Sequence, residues 1–451
     1  MLFEPKPYQD RGRRKILEHP RYGLFMDMGL GKTATVLTAV HDLIFDCFEV
    51  ERVLVVAPKN VALTVWPAEI EKWDQLQGLD YSVIYGDKMA ALYKPAQIYI
   101  TNYESLPWLA RHWKLAPQFD MLVIDESTWV KNQSAKRFSY CLAISELVKR
   151  TVILTGKPVP NGLIDMWAQI YLLDRGARLC SSKTDYTKFY FIPNQNSHGF
   201  SPRKGAIKEI TDRIGDITLT LRAQDYLDMP ELIHNKIEFR LPEKLQEQYD
   251  DLESKFFLEL QDQTITAFSA GALSMKLRQF VSGFVYDEST AAHAVHTARL
   301  EALKELIESL SGKNILLLVQ FRAEIQMIRD FLGRDVPAIY SETSTPKDLK
   351  VLADWSARKL PLLMANPASI GYGLNMQDGG ADLLWYSQTW NLDLYDQTIA
   401  RLWRQGQTSA HVVNHILCMR GTIDMPIYWA LQRKSKTQTE LLELLKRWRT
   451  K

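Results

Sequence analysis

The sequence predicts an α/β fold in two halves, each a parallel sheet covered by helices. Three observations lead there. Short aliphatic runs alternate with helical stretches from Tyr22 to Gly156, the alternation stops from about Tyr171 to Ile217, and it resumes from about Lys313. Apolar strands separated by helices cannot pair as hairpins, so they pair in parallel, bury both faces, and collect ligand sites at their carboxyl ends.

In the first half, "YGLFMD", "RVLVVAP", "YSVIYG", "AQIYIT", "DMLVIDE" and "RTVILTG" read as strands, and "NVALTVWPAEIEKW" carries apolar residues at helical spacing. The polar stretch "FIPNQNSHGFSPRKG" falls in the interruption and predicts an irregular or helical insertion. "HNKIEFRLP" then reads as extended, and "EKLQEQYDDLESKFFLEL" with "SMKLRQFVSG" as helical. The second half supplies "NILLLVQF", "AIYSE", "PLLMAN", "ADLLWYS" and "HVVNHIL" as strands, with "AEIQMIRDFLG", "PKDLKVLADWSA" and "LYDQTIARLWRQ" as helices.

Bulk composition narrows the class. With 451 residues, 46% of them hydrophobic, the chain can bury two or three cores. Its aliphatic runs are strand-length, far short of the roughly 20 residues that span a bilayer, and "MLFEPKPYQDRGRRKILEHP" lacks the apolar centre of a signal peptide. A cytoplasmic protein is expected, with no membrane partner. Four dispersed cysteines and nine dispersed histidines argue against a disulfide framework or a zinc module. A net charge of +2 does not announce nucleic acid, although "DRGRRK" and the basic tail from Leu431 are local patches that attract phosphate backbones.

Chemistry concentrates in three places. Gly29, Gly31, Lys32 and Thr33 lie between a strand and a helix, where glycines let backbone amides approach phosphate, Lys32 reaches the β- and γ-phosphates, and the Thr33 hydroxyl ligates Mg²⁺. The strict phosphate-loop pattern wants glycine at position 26, and this chain has Met26. Asp125 and Glu126 end a buried strand, a pattern suited to a metal-holding carboxylate and a base for the attacking water. Arg401 and Arg404, three apart in "DQTIARLWRQGQT", are expected on one helix face as the positive charge a phosphoryl-transfer transition state needs.

The ordered segments "PYQ", "MDMGLGKT", "VLVVAPKNVALTVWPAEIEKW", "IYITNYESL", "VIDEST", "VILTGKPVPNGLIDMWAQIYLL", "ILLLVQFRAEIQMIRDFL", "MANPASIGYGLNMQDGGADLLWYSQTWN" and "DQTIARLWRQGQT" resemble the helicase motifs of Swi/Snf-type superfamily II DNA translocases, from Pro7 to Thr408. The resemblance implies two RecA-like domains in tandem with small helical insertions and ATP in a cleft: residues 1–230 with an insertion near 171–217, and 231–451 with an insertion near 243–282. It assigns adenine reading to Gln9, motif I to Gly29, Gly31, Lys32 and Thr33, and motif II to Asp125 and Glu126. Coupling of nucleotide state to DNA falls to Thr155 and Gly156, motif V to Gly371, Gly373, Leu374 and Asn375, and motif VI to Gln397, Arg401, Arg404 and Gln407. ATP and Mg²⁺ are the implied cofactors.

DNA, duplex or branched and held through its backbone without regard to sequence, is the implied partner, with replication or recombination proteins as further candidates. Where the family usually reads DEAH or DEGH, this chain has Ser127 and Thr128, so no histidine is there to contact the second domain. So compact a motor fits a phage or bacterial setting, with the host cytoplasm as its location if phage-encoded. A strand-separating DNA or RNA helicase and a nucleic-acid scaffold with a decayed ATPase are the alternative readings.

Overall fold

Strand after strand in this chain is buried along its whole length, the mark of a sheet covered on both faces. The structure, a computed structural model, describes residues 2–159, 162–193, 200–261, 267–340, 346–370, 375–433 and 435. These divide into two compact units, Met1–Asp228 and Met229–Arg433.

In the first unit the strands are β1 (Arg21–Met26), β2 (Val53–Ala57), β3 (Tyr81–Val83), β4 (Ile98–Asn102), β5 (Met121–Ile124), β6 (Arg150–Thr155), β7 (Phe191–Pro193), β8 (Phe200–Pro202) and β9 (Thr218–Leu221). All but β7 and β8 form one sheet in the order β3-β4-β2-β5-β6-β1-β9, parallel at every junction. That order separates β1 from β5 by β6 alone. The loops after β1, β5 and β6 therefore emerge side by side at the sheet's carboxyl edge.

Within residues 171–217 the structure places helices Lys183–Tyr190 and Ala206–Ile214, together with an antiparallel ribbon of β7 on β8. Tyr186, Tyr190, Ile210 and Ile214 join the same core as β5 and β6, so this segment is packed into the unit. The ribbon and β9 were not legible as strands. Each is three or four residues long, and β9 gains its strand character by pairing along β1 from Gly23 to Met26.

The second unit contains β10 (Glu231–Arg240), β11 (Phe284–Tyr286), β12 (Ala292–Ala294), β13 (Ile315–Leu318), β14 (Ala338–Ile339), β15 (Leu362–Ala365), β16 (Asp382–Trp385) and β17 (His411–Arg420). Its sheet runs β10-β17-β16-β13-β15-β14, again parallel throughout. Alternation along β13 sends Leu316 and Leu318 into one core and Ile315 and Leu317 into another, on opposite faces. Helices Glu243–Gln261 and Ala267–Ser282 precede the first core strand. Arg299, 1% exposed, pairs with the buried Asp424 and donates to Val281 O at 3.1 Å, which bolts helix Ala298–Ser309 to the turn after β17.

One helix is shorter than expected. The element that carries Gln397 spans Leu392–Ile399, so Arg401 and Arg404 lie beyond its end and do not share a helix face. Amides of Arg401 and Leu402 reach back three residues, to Thr398 O and Ile399 O, the tightening usual in a last turn.

Candidate active site

The loop after β1 owes its shape to two glycines. Gly29 and Gly31 adopt φ of 83° and 76°, a left-handed backbone that other residues enter only at a cost. Gly31 is the N-cap of helix Lys32–Phe45 and offers no capping side chain, so the first-turn amides are left to a ligand. Lys32 Nζ donates to Met26 O at 2.7 Å and folds over the loop, and Thr33 stands beside it, half-buried. Gln9 closes the loop from the first helix. Its Nε2 donates to Leu30 O at 3.0 Å while its Oε1 accepts from Lys6 N at 2.8 Å. A Cβ on Gly31 would lie 2.5 Å from Gln9 Nε2, so a side chain there would have to displace the glutamine amide.

At the end of β5, Asp125 Oδ2 accepts from Trp66 Nε1 at 2.8 Å and Oδ1 accepts from the Glu126 amide at 2.9 Å. Burial pushes the Asp125 carboxyl up from its ordinary range, against the pull of the Trp66 N–H and the Lys32 charge. Glu126 is 9% exposed and sits at φ 55°, a left-handed conformation rare outside glycine. Tyr103 OH donates to Asp125 O at 2.7 Å, and burial holds this phenol well above its usual range. Ser127 Oγ donates to Gln169 Oε1 at 2.7 Å.

The loop after β6 completes the edge. Thr155 is fully buried and its Oγ1 accepts from Lys157 N at 3.1 Å. A Cβ on Gly156 would meet Met26 O at 3.2 Å and Met28 N at 3.6 Å, so the glycine lets the β6 loop lie against the phosphate-loop backbone. Gln9, Gly29, Gly31, Lys32, Thr33, Asp125, Glu126, Thr155 and Gly156 all belong to the first unit.

In the second unit, Arg404 Nη1 donates to Asn375 Oδ1, which joins two residues chosen from separate motifs. Burial lowers the Arg404 pKa from its ordinary value, partly offset by Asp378. Arg401 is buried and donates from Nε to Gln397 O at 3.1 Å. Gln397 is fully buried, its amide on Asp393 Oδ1 at 3.1 Å. Gly371, Gly373 and Leu374 lie outside the described residues, as do Pro160, Asn161 and nearly all of the basic tail.

Three residues at this edge were missed by sequence reasoning: Trp66, Tyr103 and Gln169. Trp66 lies in an apolar stretch and Tyr103 in the polar "TNYES", and neither pattern marks a partner for Asp125. Gln169 did carry a signal, a single amide within the apolar helix Met166–Asp174.

A glycine-lysine-threonine turn and an Asp-Glu pair on neighbouring loops of one parallel sheet, followed by a second parallel sheet, define the class of RecA-like nucleotide hydrolases. Residues 18–282 match the family model described as SNF2-related domain, and residues 298–406 match the one described as Helicase conserved C-terminal domain. The chain belongs to the SNF2-related family and is an ATP-hydrolysing, helicase-like enzyme of Swi/Snf type.

Among similar proteins, the phage protein p41 of Acyrthosiphon pisum secondary endosymbiont phage 1 is 34% identical over 99% of both chains. A DNA repair and recombination protein RAD54-like of Gallus gallus is 21% identical over 89% of this chain and 61% of its own length. An uncharacterized ATP-dependent helicase, MG018 of Mycoplasma genitalium, is 24% identical over 98% of this chain and 42% of its own length. This chain thus spans less than two thirds of the length of each of those two relatives. A solved Sulfolobus solfataricus SWI2/SNF2 ATPase core in complex with dsDNA is 23% identical, covers 99% of each chain, and has a TM-score of 0.46. No helix among the described residues is long and apolar enough to cross a membrane.

Proposed function

We propose that this chain is a DNA-stimulated ATPase that converts hydrolysis into movement along the DNA backbone. The observation that carries the reading is the first unit's sheet edge, where Gly31, Lys32, Asp125, Glu126 and Gly156 come from three loops that emerge side by side. The donor set fits a nucleoside triphosphate with a divalent cation. Uncapped helix amides and an ammonium suit phosphate oxygens, while a hydroxyl and a carboxylate suit a hard cation.

In this reading Lys32 Nζ exchanges Met26 O for a phosphate oxygen, and Gln9 and Gln397 contribute to nucleotide binding. Thr33 and Asp125 hold Mg²⁺, which when bound neutralises charge on the β- and γ-phosphates. Glu126 accepts the proton of the attacking water, and Arg401 and Arg404 supply positive charge to the transition state. Thr155, Gly156, Gly371, Gly373 and Asn375 couple that chemistry to DNA.

Support for DNA as partner comes from the relative named as a DNA repair and recombination protein. Contacts to the phosphodiester backbone are proposed because a translocating motor must ignore sequence. Phosphate release measured without DNA and with duplex, forked and single-stranded DNA tests the reading. Stimulation by at least one DNA is expected, and an equal rate with all four would overturn it.

A further inference from the structure

Between the Asp-Glu turn and the loop after β6 lies one side chain at this edge to which the proposed function gives no role. Gln169, on helix Met166–Asp174, is 0% exposed. Its Oε1 accepts from Ser127 Oγ at 2.7 Å, and its Nε2 donates to Pro158 O at 2.5 Å and Asp165 O at 3.1 Å. Ser127 is also fully buried. A single amide therefore joins the residue after Glu126 to the segment after Thr155 and Gly156, two pieces of chain that leave adjacent strands.

Glu126 needs such a tether. Its left-handed backbone is disfavoured for a residue with a Cβ and persists only when the surroundings over-determine it. Two hydrogen bonds flank it. Asp125 Oδ1 accepts the Glu126 amide on one side, and Ser127 Oγ is anchored to Gln169 on the other. Helix Met166–Asp174 packs on β1 and β6, so Gln169 is anchored to the sheet's own frame.

We propose that Gln169, acting through Ser127, is the positioning residue that fixes the Glu126 carboxylate and ties it to the Thr155–Pro158 loop. The proposal rests on the reading of Glu126 as the base for the attacking water. Pro158 O, the Gln169 amide and Ser127 hold one another in place, because breaking any one of these buried bonds strands a polar group without water.

The test uses full-length protein and compares Ser127→Ala, which deletes one hydroxyl, with Gln169→Met, which keeps the side chain's length, and Glu126→Gln. Active sites are counted by equilibrium ADP titration, and steady-state ATP hydrolysis and melting temperature are measured on each variant. Both positioning variants are expected to lose about 10- to 100-fold in kcat per ADP-binding site, with KM for ATP and ADP affinity unchanged, the scale seen when a group orienting a catalytic ligand is removed. A purely architectural role would lower the melting temperature and leave kcat per site intact. Wild-type kcat per site in folded Ser127→Ala and Gln169→Met, with Glu126→Gln inactive, overturns the proposal and spares the reading of Glu126. A fully active Glu126→Gln removes both.

Discussion

Trp66 donates its indole N–H to Asp125 Oδ2 at 2.8 Å, with the tryptophan wholly buried. Trp66 opens helix Trp66–Lys72 directly after the π turn Val61–Val65, so the carboxylate is tied to the segment that follows β2. The donor also stabilises the ionised carboxylate against the burial that disfavours it.

A pH dependence follows. In the proposed reading Asp125 must be ionised to hold a cation, so turnover should be lost as pH falls through a pKa that burial has raised above the usual aspartate value. The acidic limb of the rate profile should therefore lie above the range of an exposed aspartate. Trp66→Phe removes a lowering influence and should move that limb to still higher pH. A limb that stays put, or moves down, would contradict this account.

Lys32→Ala should abolish phosphate release while the chain stays folded, since Lys32 is half-buried and its ammonium donates to backbone carbonyls, Met26 O at 2.7 Å and Asp27 O at 3.4 Å. Circular dichroism beside the hydrolysis assay separates these effects. DNA-stimulated hydrolysis surviving the substitution would remove the phosphate-loop assignment.

Gly31→Ala places a methyl where Gln9 Nε2 stands and forces a left-handed alanine. The backbone alone costs about 1–2 kcal/mol. Gln9 must also yield its bond to Leu30 O, so nucleotide affinity should fall together with stability. Wild-type melting and wild-type ADP affinity would show that the loop is not as tightly closed as its geometry indicates.

Arg404→Ala should lower kcat by roughly 10³-fold if this guanidinium meets the transferring phosphate, with nucleotide affinity comparatively intact. Loss of its bond to Asn375 is the competing cause. Asn375→Ala distinguishes them: a much smaller loss there supports the direct role, and an equal loss assigns the effect to the pairing.

DNA affinity should fall steeply with salt, because each neutralised phosphate releases about 0.9 counterion from a duplex. Binding measured across a salt series checks this, and a flat response would exclude backbone tracking.

What the sequence determined by itself is local. Continuous aliphatic runs alternating with stretches of helical hydrophobic spacing sufficed for two parallel sheets, because a strand buried on both faces has to be apolar throughout. Gly29, Gly31, Lys32, Asp125 and Glu126 were legible for a similar reason: their chemistry is written in contiguous residues at the ends of such strands.

Tertiary structure decided whatever depends on a distant partner. Strand β9 exists because β1 offers it an edge. Helix Leu392–Ile399 ends where it does because its turns tighten there, although "IARLWRQ" alone reads as more helix. Trp66 meets Asp125 across 59 residues and Ser127 meets Gln169 across 42, and no period or spacing encodes either meeting. Such bonds form only once packing has removed water from both partners, so the residues that aim the carboxylates became visible only in the folded chain.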